Sequence, residues 1–307
     1  MTRKDHMLQS APSMSPPPIY EKLAIIGVGL IGGSAALALR LAGQTGRIVG
    51  VGRDDESLQQ AIDLGVINEA ATLEDAVHDA DLILLATPVG QFPALMQRMD
   101  GVIAPHAVIT DAGSTKRDVV EAARQHLATR LSRFVPAHPI AGAEKSGVTA
   151  ARAELFTGKN VVLTPLDETD DDATQKTSAF WQACGARLTE MTVETHDRIF
   201  AAVSHLPHLL AFALVDNIAR RSNAEQIFGF AAGGFRDFSR IAGSSPEMWR
   251  DISLANRDAL LAEIDAFQAE LTLIRKLLAE SDGPALEALF HNARDARNTW
   301  IHSPEKK

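Results

Sequence analysis

Leu23-Ala-Ile-Ile-Gly-Val-Gly-Leu-Ile-Gly-Gly-Ser34 is the stretch on which the fold of this chain turns. Leu23 to Ile26 is a short apolar run, as expected of a strand buried on both faces of a parallel sheet. It stops at Gly27, and Gly27, Gly29 and Gly32 then fit G-x-G-x-x-G. The first glycine permits a tight turn, the second lets backbone approach a pyrophosphate, and the third lets the next helix pack close to the strand. Ala35 to Leu41, rich in Ala and Leu, supplies that helix. Its free N–H groups and the positive end of its dipole would face the phosphates, with Leu30 and Ile31 of the loop counted beside the glycines as cofactor-binding. Alone the motif is weak. A strand before it, a helix after it and a second strand at Arg47–Gly52 make it a dinucleotide signature rather than a plain glycine turn.

That second strand bears on the cofactor. An acidic residue is expected at its end, about 20 residues past the glycines, to hold the adenosine ribose hydroxyls. Gly52 falls there and Arg53 follows. A missing carboxylate beside an arginine leaves room and charge for a 2′-phosphate, which favours NADP over NAD. The competing reading has Asp54 or Asp55 reach the ribose instead.

The pattern then continues as alternating strands and helices. Helices are expected over Ser57–Gly65 and Leu73–His78, and strands over Asp81–Ala86 and Ala107–Asp111. Thr87 and Pro88 follow the first of these strands, at the sheet edge where the nicotinamide ribose would run, and Pro88 can start the next helix. Asp111-Ala-Gly-Ser-Thr-Lys116 closes the other strand and opens a helix over Arg117–Thr129. Ser114 on its own reads as a helix cap. An extended run over Phe134–Ala137 leads into His138-Pro-Ile-Ala-Gly-Ala-Glu-Lys-Ser-Gly147. Pro139 holds His138 extended. A histidine there is a proton acceptor or a structural histidine, and the residues alone leave both open. Strands at Asn160–Thr164 and Ala186–Glu190 flank a helix over Ala173–Cys184.

After Met191 only helical periodicity remains, over Val193–Arg220, Ile227–Arg240, Pro246–Arg275 and Pro284–Trp300. The fold class expected is therefore α/β: an N-terminal Rossmann-type dinucleotide-binding domain over 21–191, then an all-α dimerisation domain over 192–307. Residues 1–20 read as a disordered arm without the apolar centre of a signal peptide. Within the first long helix, Ser204-His-Leu-Pro-His208 places His205 and His208 three residues apart. No carboxylate or thiol falls in ligand spacing, so no metal site is expected. Pro207 should kink the helix, since it removes one backbone bond. In Gly233–Ala242, Arg240 suits a bidentate grip on a carboxylate, and Arg236 reads as a surface ion pair. Trp249 reads as a core or interface aromatic. Leu260, Leu261, Ile264, Phe267, Leu271 and Ile274 form an apolar stripe, read as core or as the seam of an isologous homodimer.

Composition sets outer bounds. The chain has 307 residues and a net charge of −9, which argues against a nucleic-acid partner. Cys184 is the single cysteine, so no disulfide framework exists and a reducing, cytoplasmic setting is expected. No apolar run is expected to reach the roughly 18 residues of a membrane span.

Asp111–Lys116 taken with His138–Gly147 resembles the prephenate/arogenate (cyclohexadienyl) dehydrogenase family, whose members show D-x-G-S-x-K and H-P-x-A-G-x-E-x-S-G at this separation. The similarity runs from about Leu23 to about Arg257. It implies oxidation of a cyclohexadienol by a nicotinamide cofactor with release of carbon dioxide, on the route to tyrosine. It further implies that His138 hydrogen-bonds the ring hydroxyl and that Ser114 supports the same site. Glu144 and Lys145 would lie in the substrate loop. S-H-x-P-H would line the pocket, with His208 at the substrate's side-chain end and His205 close by. Arg240 would bind substrate, Asp237 would brace it, and Trp249 would reach a partner subunit's pocket. Ala143 departs from the family, which often carries Thr or Ser there. Two other readings fit parts of the chain. A hydroxy-acid or imine reductase also joins a dinucleotide domain to a helical one, but does not need His138, His208 and Arg240 together. A non-catalytic dinucleotide sensor would keep the glycines without Ser114 and His138.

Overall fold

The computed structural model describes residues 19–143 and 145–302. The chain forms two compact units. One contains the residues through His196 together with Ser244–Ile252, and the other contains Asp197–Gly243 and the residues from Ser253 onward.

The first unit is built on β1 (Tyr20–Ile26), α1 (Leu30–Leu41), β2 (Thr45–Val51), α2 (Asp55–Asp63), β3 (Glu69–Ala70), α3 (Leu73–Val77), β4 (Leu82–Leu85), α4 (Phe92–Met99), β5 (Val108–Asp111), α5 (Arg117–His126) and β6 (Phe134–Val135). The strands form one sheet in the order β3-β2-β1-β4-β5-β6, parallel throughout. Side chains alternate along β1. Leu23 and Ile25 join an apolar cluster with Leu39, Leu58, Phe180 and Trp181, while Ala24 and Ile26 join another with Leu73, Phe92, Met96 and Val119. Both faces of the sheet are thus covered by helices, which is why the central strands read as unbroken apolar runs. The direction of strand addition reverses between β1 and β4, and ligands of such sheets bind at the carboxyl ends there.

A second, three-stranded sheet follows, from β7 (Ala137–Pro139), β8 (Asn160–Leu163) and, after α6 (Asp171–Ala183), β9 (Arg187–Glu190). β7 pairs antiparallel with β8, and β8 pairs parallel with β9. The extended run expected over 134–137 is therefore two strands in two sheets, divided at Pro136, whose carbonyl accepts from the Thr164 N–H at 3.0 Å. β3 was not expected; a two-residue strand carries no period to detect.

The expected arm reaches one residue too far. Tyr20 belongs to β1, is 2% exposed and donates its hydroxyl to the Lys176 carbonyl at 2.7 Å. Residues 1–18 lie outside the described residues. Pro88 does not open a full helix either. It precedes a single 3₁₀ turn over Val89–Gln91, and Pro93 takes the first-turn position of α4.

In the second unit the chain runs from α7 (Val193–Phe200), whose first turn lies in the first unit, through a π-helical turn (Ala201–His205) into α8 (Leu206–Ala219). At the expected kink the helix passes through one wider, π-helical turn, and Pro207, which has no N–H to donate, follows it directly in the first turn of α8. Residues 193–219 are continuous helix with a window of mean hydropathy 1.6. The expectation of no span-length apolar run is thus corrected: by length and composition alone, this helix could cross a membrane. A core or interface helix of a soluble protein meets the same criterion. Short helices α9 (Ala224–Gly229) and α10 (Gly233–Ser239) precede α11 (Pro246–Ala255), α12 (Arg257–Ala279) and α13 (Gly283–Ile301). Asn256 ties the start of α12 to the π turn, its amide lying 2.7 Å from the Asp197 carbonyl and 3.0 Å from His205 Nδ1.

Candidate active site

The glycine loop sits where the sheet reverses direction. Gly27 has φ +103°, and a Cβ on it would lie 2.8 Å from the Ala86 backbone. A Cβ on Gly32 would come within 2.3 Å of the Gly27 carbonyl. Gly29 is different: nothing lies within 4 Å of its Cβ position, which faces open space at the start of α1. Two glycines close the turn onto strand and helix, and the middle one leaves a gap above the free N–H groups of Leu30 and Ile31. A cavity of about 580 Å³ opens there, lined by Gly27, Gly29, Arg53, Thr87, Pro88 and Gln91 among others. Gln91 Nε2 is buried in its wall without a hydrogen-bond partner among the described residues. A buried, unmatched donor is unfavourable by about 1–3 kcal/mol, and a ligand acceptor would relieve it. The gap, the N–H groups and this donor fit a dinucleotide.

At the adenosine end, Arg53 is exposed on the cavity rim. The Asp54 carboxylate is engaged as the cap of α2, accepting from the Ser57 N–H at 3.0 Å and the Ser57 hydroxyl at 2.5 Å. These bonds to Ser57 hold its carboxyl below the usual carboxylate range.

Asp111 and Lys116 form a fully buried ion pair at 2.5 Å. Asp111 also accepts from the amides of Gly113 at 2.7 Å and Ala137 at 3.0 Å. Burial pushes its carboxyl up, against the pull of Lys116 and the two amides. The Ala137 bond fixes the residue just before His138, so this pair locks β7 onto the end of β5. Ser114 is half-buried in the bend between β5 and α5. It is not the cap expected of it in isolation, because Lys116 holds that position without a side-chain bond.

His138 lies within β7, opposite Val162, and is 9% exposed. Its Nδ1 is 2.9 Å from Nε2 of His196, and the rings meet edge-on with centroids 5.1 Å apart. His196 is fully buried on the first turn of α7. Downstream of His138, Lys145 is exposed and Gly147 turns the loop at φ +86°. Glu144 lies outside the described residues.

In the second unit His205 is 1% exposed. His208 is half-buried, with Nδ1 donating to the Ser204 carbonyl at 2.8 Å. Burial, reinforced by the nearby Arg240 charge, lowers its pKa against the opposing effect of that bond, which favours a neutral ring. Asp237 and Arg240 are exposed, Arg240 at the end of α10. Among the described residues, no group of three or more His, Cys, Asp or Glu side chains could hold a metal ion.

Trp249 is 7% exposed and belongs with Ser244–Ile252 to the first unit. In that segment the Asp251 carboxylate lies against Gly90, where a Cβ would meet it at 2.8 Å. The core reading of Trp249 matches this burial within its own chain.

The family model described as prephenate dehydrogenase, nucleotide-binding domain, matches residues 35–190, and that described as prephenate dehydrogenase, dimerization domain, matches 192–292. The chain belongs to the prephenate dehydrogenase family. It is 39% identical over 281 residues to the prephenate dehydrogenase of Bacillus subtilis, covering 91% of this chain and 76% of that one. It is 36% identical over 286 residues to the cyclohexadienyl dehydrogenase of Zymomonas mobilis, covering 91% and 96%. The crystal structure of Aquifex aeolicus prephenate dehydrogenase in complex with hydroxyphenyl propionate and NAD+ superimposes with a TM-score of 0.84 at 37% identity, over 93% of this chain and 99% of that one. The nucleotide-binding match begins at residue 35, so the glycine loop stands on the geometry above.

Sequence reasoning passed over four side chains of this family member's site. Asp111 and Lys116 were seen only as motif letters, and Gln91 was not singled out. His196 was missed although a signal exists: Val193 and Phe200, three before and four after it, give that helix face an apolar edge.

Proposed function

We propose that this chain catalyses the oxidative decarboxylation of prephenate, arogenate or both, in tyrosine biosynthesis, with a nicotinamide dinucleotide bound over the glycine loop. The observation that carries this reading is His138, set in a buried strand and braced through Ala137 by the Asp111–Lys116 pair. The dinucleotide supplies a hydride acceptor. The hydroxyl on the reacting ring carbon must lose its proton, and a neutral His138 can take it. Loss of the ring carboxylate as carbon dioxide then makes the ring aromatic, which drives the reaction. Ser114 supports the hydroxyl, and Glu144 and Lys145 belong to the substrate loop. Arg240, braced by Asp237, is assigned to a substrate carboxylate, and a neutral His208, with His205 near it in sequence, to the side-chain end.

We read the cofactor as NADP, because Arg53 is exposed at the cavity rim and Asp54 is engaged in capping α2. NAD+ is the cofactor in the Aquifex complex. The second unit is read as the contact of a homodimer, in which Trp249 stays in its own subunit's core. The lone, buried Cys184 supports a cytoplasmic setting.

The test is direct. Purified protein is incubated with prephenate or arogenate and either oxidised dinucleotide. Reduced dinucleotide and carbon dioxide are expected in equal amounts. Reduction without carbon dioxide would favour a hydroxy-acid or imine reductase, and neither product would favour a sensor.

A further inference from the structure

Two imidazoles in contact through Nδ1 of His138 and Nε2 of His196, 2.9 Å apart, must divide the roles: one nitrogen carries the proton and the other accepts it. The geometry alone permits either direction. The chemistry of the site selects one. A proton-accepting His138 needs a lone pair facing the substrate hydroxyl, and its Nδ1 is engaged with His196. The accepting atom is then Nε2, which bears a lone pair in the neutral ring only when the ring proton sits on Nδ1.

We propose that His196 is a positioning residue that sets the tautomer of His138. Nε2 of His196 accepts the Nδ1–H of His138, and His196 carries its own proton on Nδ1. This rests on the reading of His138 as the base. As the hydroxyl proton arrives on Nε2, His138 becomes a cation and its Nδ1–H···Nε2 bond becomes charge-assisted, so the contact strengthens as the reaction proceeds. The orienting group is fully buried, and it is neutral. A carboxylate in its place would orient the ring equally well, but would put a further negative charge beside a substrate that already carries carboxylates. The helical setting suits the role. The backbone N–H of His196 is bonded to the Thr192 carbonyl at 2.9 Å, which fixes the ring to the first turn of α7, while β7 is fixed by Asp111. Each ring of the pair is thus held by its own secondary-structure element.

The experiment compares His196→Gln with His196→Leu. The two replacements have similar volume, but only Gln offers an oxygen that can accept from His138 Nδ1. The Leu variant is expected to lose about 10²-fold in kcat, within the range for general-base groups, and the Gln variant to recover to within about tenfold of the parent. The KM for dinucleotide should stay unchanged in both. Equal kcat values for Gln and Leu would overturn the proposal, since packing alone treats them alike. A second measurement needs no variant. Nitrogen NMR of histidine-labelled protein should find His138 protonated on Nδ1 and bare on Nε2, and the opposite tautomer would overturn the proposal. His138→Asn separates the two layers of the argument. If it retains full turnover, the base reading falls; if it loses turnover while Gln and Leu match, only the role of His196 falls.

Discussion

Arg53 concentrates the cofactor question in one side chain. It is exposed at the rim of the dinucleotide cavity, whereas the neighbouring Asp54 carboxylate is held by two bonds from Ser57. A hydrogen bond to a charged group contributes about 1.5–3 kcal/mol. Arg53→Ala should therefore raise the KM for NADP about ten- to hundredfold and leave that for NAD nearly unchanged. Equal KM values for both cofactors in the parent, or an equal change in the variant, would remove the 2′-phosphate from the argument. At this scale the sequence was informative wherever a residue's role follows from type and local position. The glycines of the β1–α1 turn are of that kind. It was uninformative where the role depends on a distant partner. His196 meets a ring 58 positions away, and no spacing rule reaches that far. Asp111 looked like a motif letter because the amide it holds, on Ala137, is 26 positions on.

Among the elements, the β1–α1 turn makes the sharpest claim, because its glycines divide by function. Gly29 has φ −102° and nothing within 4 Å of its Cβ position. Gly29→Ala should leave stability within about 0.5 kcal/mol of the parent. The new methyl would nevertheless enter the space through which a pyrophosphate approaches, so dinucleotide binding should weaken about five- to hundredfold, the equivalent of 1–3 kcal/mol of overpacking. Gly32→Ala has no such latitude, since its Cβ would come within 2.3 Å of the Gly27 carbonyl. That substitution should lower the thermal midpoint by several degrees as well as weakening binding. Thermal melts alongside dinucleotide titrations decide it, and a stable Gly32→Ala that binds normally would contradict the turn geometry. The same contrast explains what was legible at this scale. β1, α1, β2, β4 and β5 follow from period and punctuation, because strands buried on both faces must be continuously apolar. The change of sheet at Pro136 did not follow, because four extended residues look the same whether they continue one strand or begin another. Nor did the π turn before Pro207, whose residues carry ordinary helical spacing.

At the scale of the whole molecule, the unresolved feature is apolar surface. Leu260, Ile264, Phe267, Leu271, Ile274 and Leu278 repeat along α12 at alternating spacings of four and three, the period of a helix seam. Leu260 is 3% exposed, yet Leu271 is 49% and Leu278 61% exposed. Elsewhere in the second unit Phe230, just past the end of α9, is 84% exposed and Phe290 on α13 is 59% exposed. Contiguous apolar area beyond a few hundred Å² is rare on a monomer and marks an interface. A second copy of this chain is the simplest cover, and the match to a domain described by its dimerization supports it. Leu271→Glu makes the idea testable. At an exposed position of a lone subunit, this change should alter stability by no more than about 0.5 kcal/mol. In a dimer seam it would bury an uncompensated carboxylate, which is far more unfavourable than the loss of one leucine. Light scattering should therefore report a dimer for the parent and a monomer for the variant, with helical circular dichroism unchanged. A monomeric parent at working concentration, or a variant that still dimerises, would mean that this stripe is not the seam.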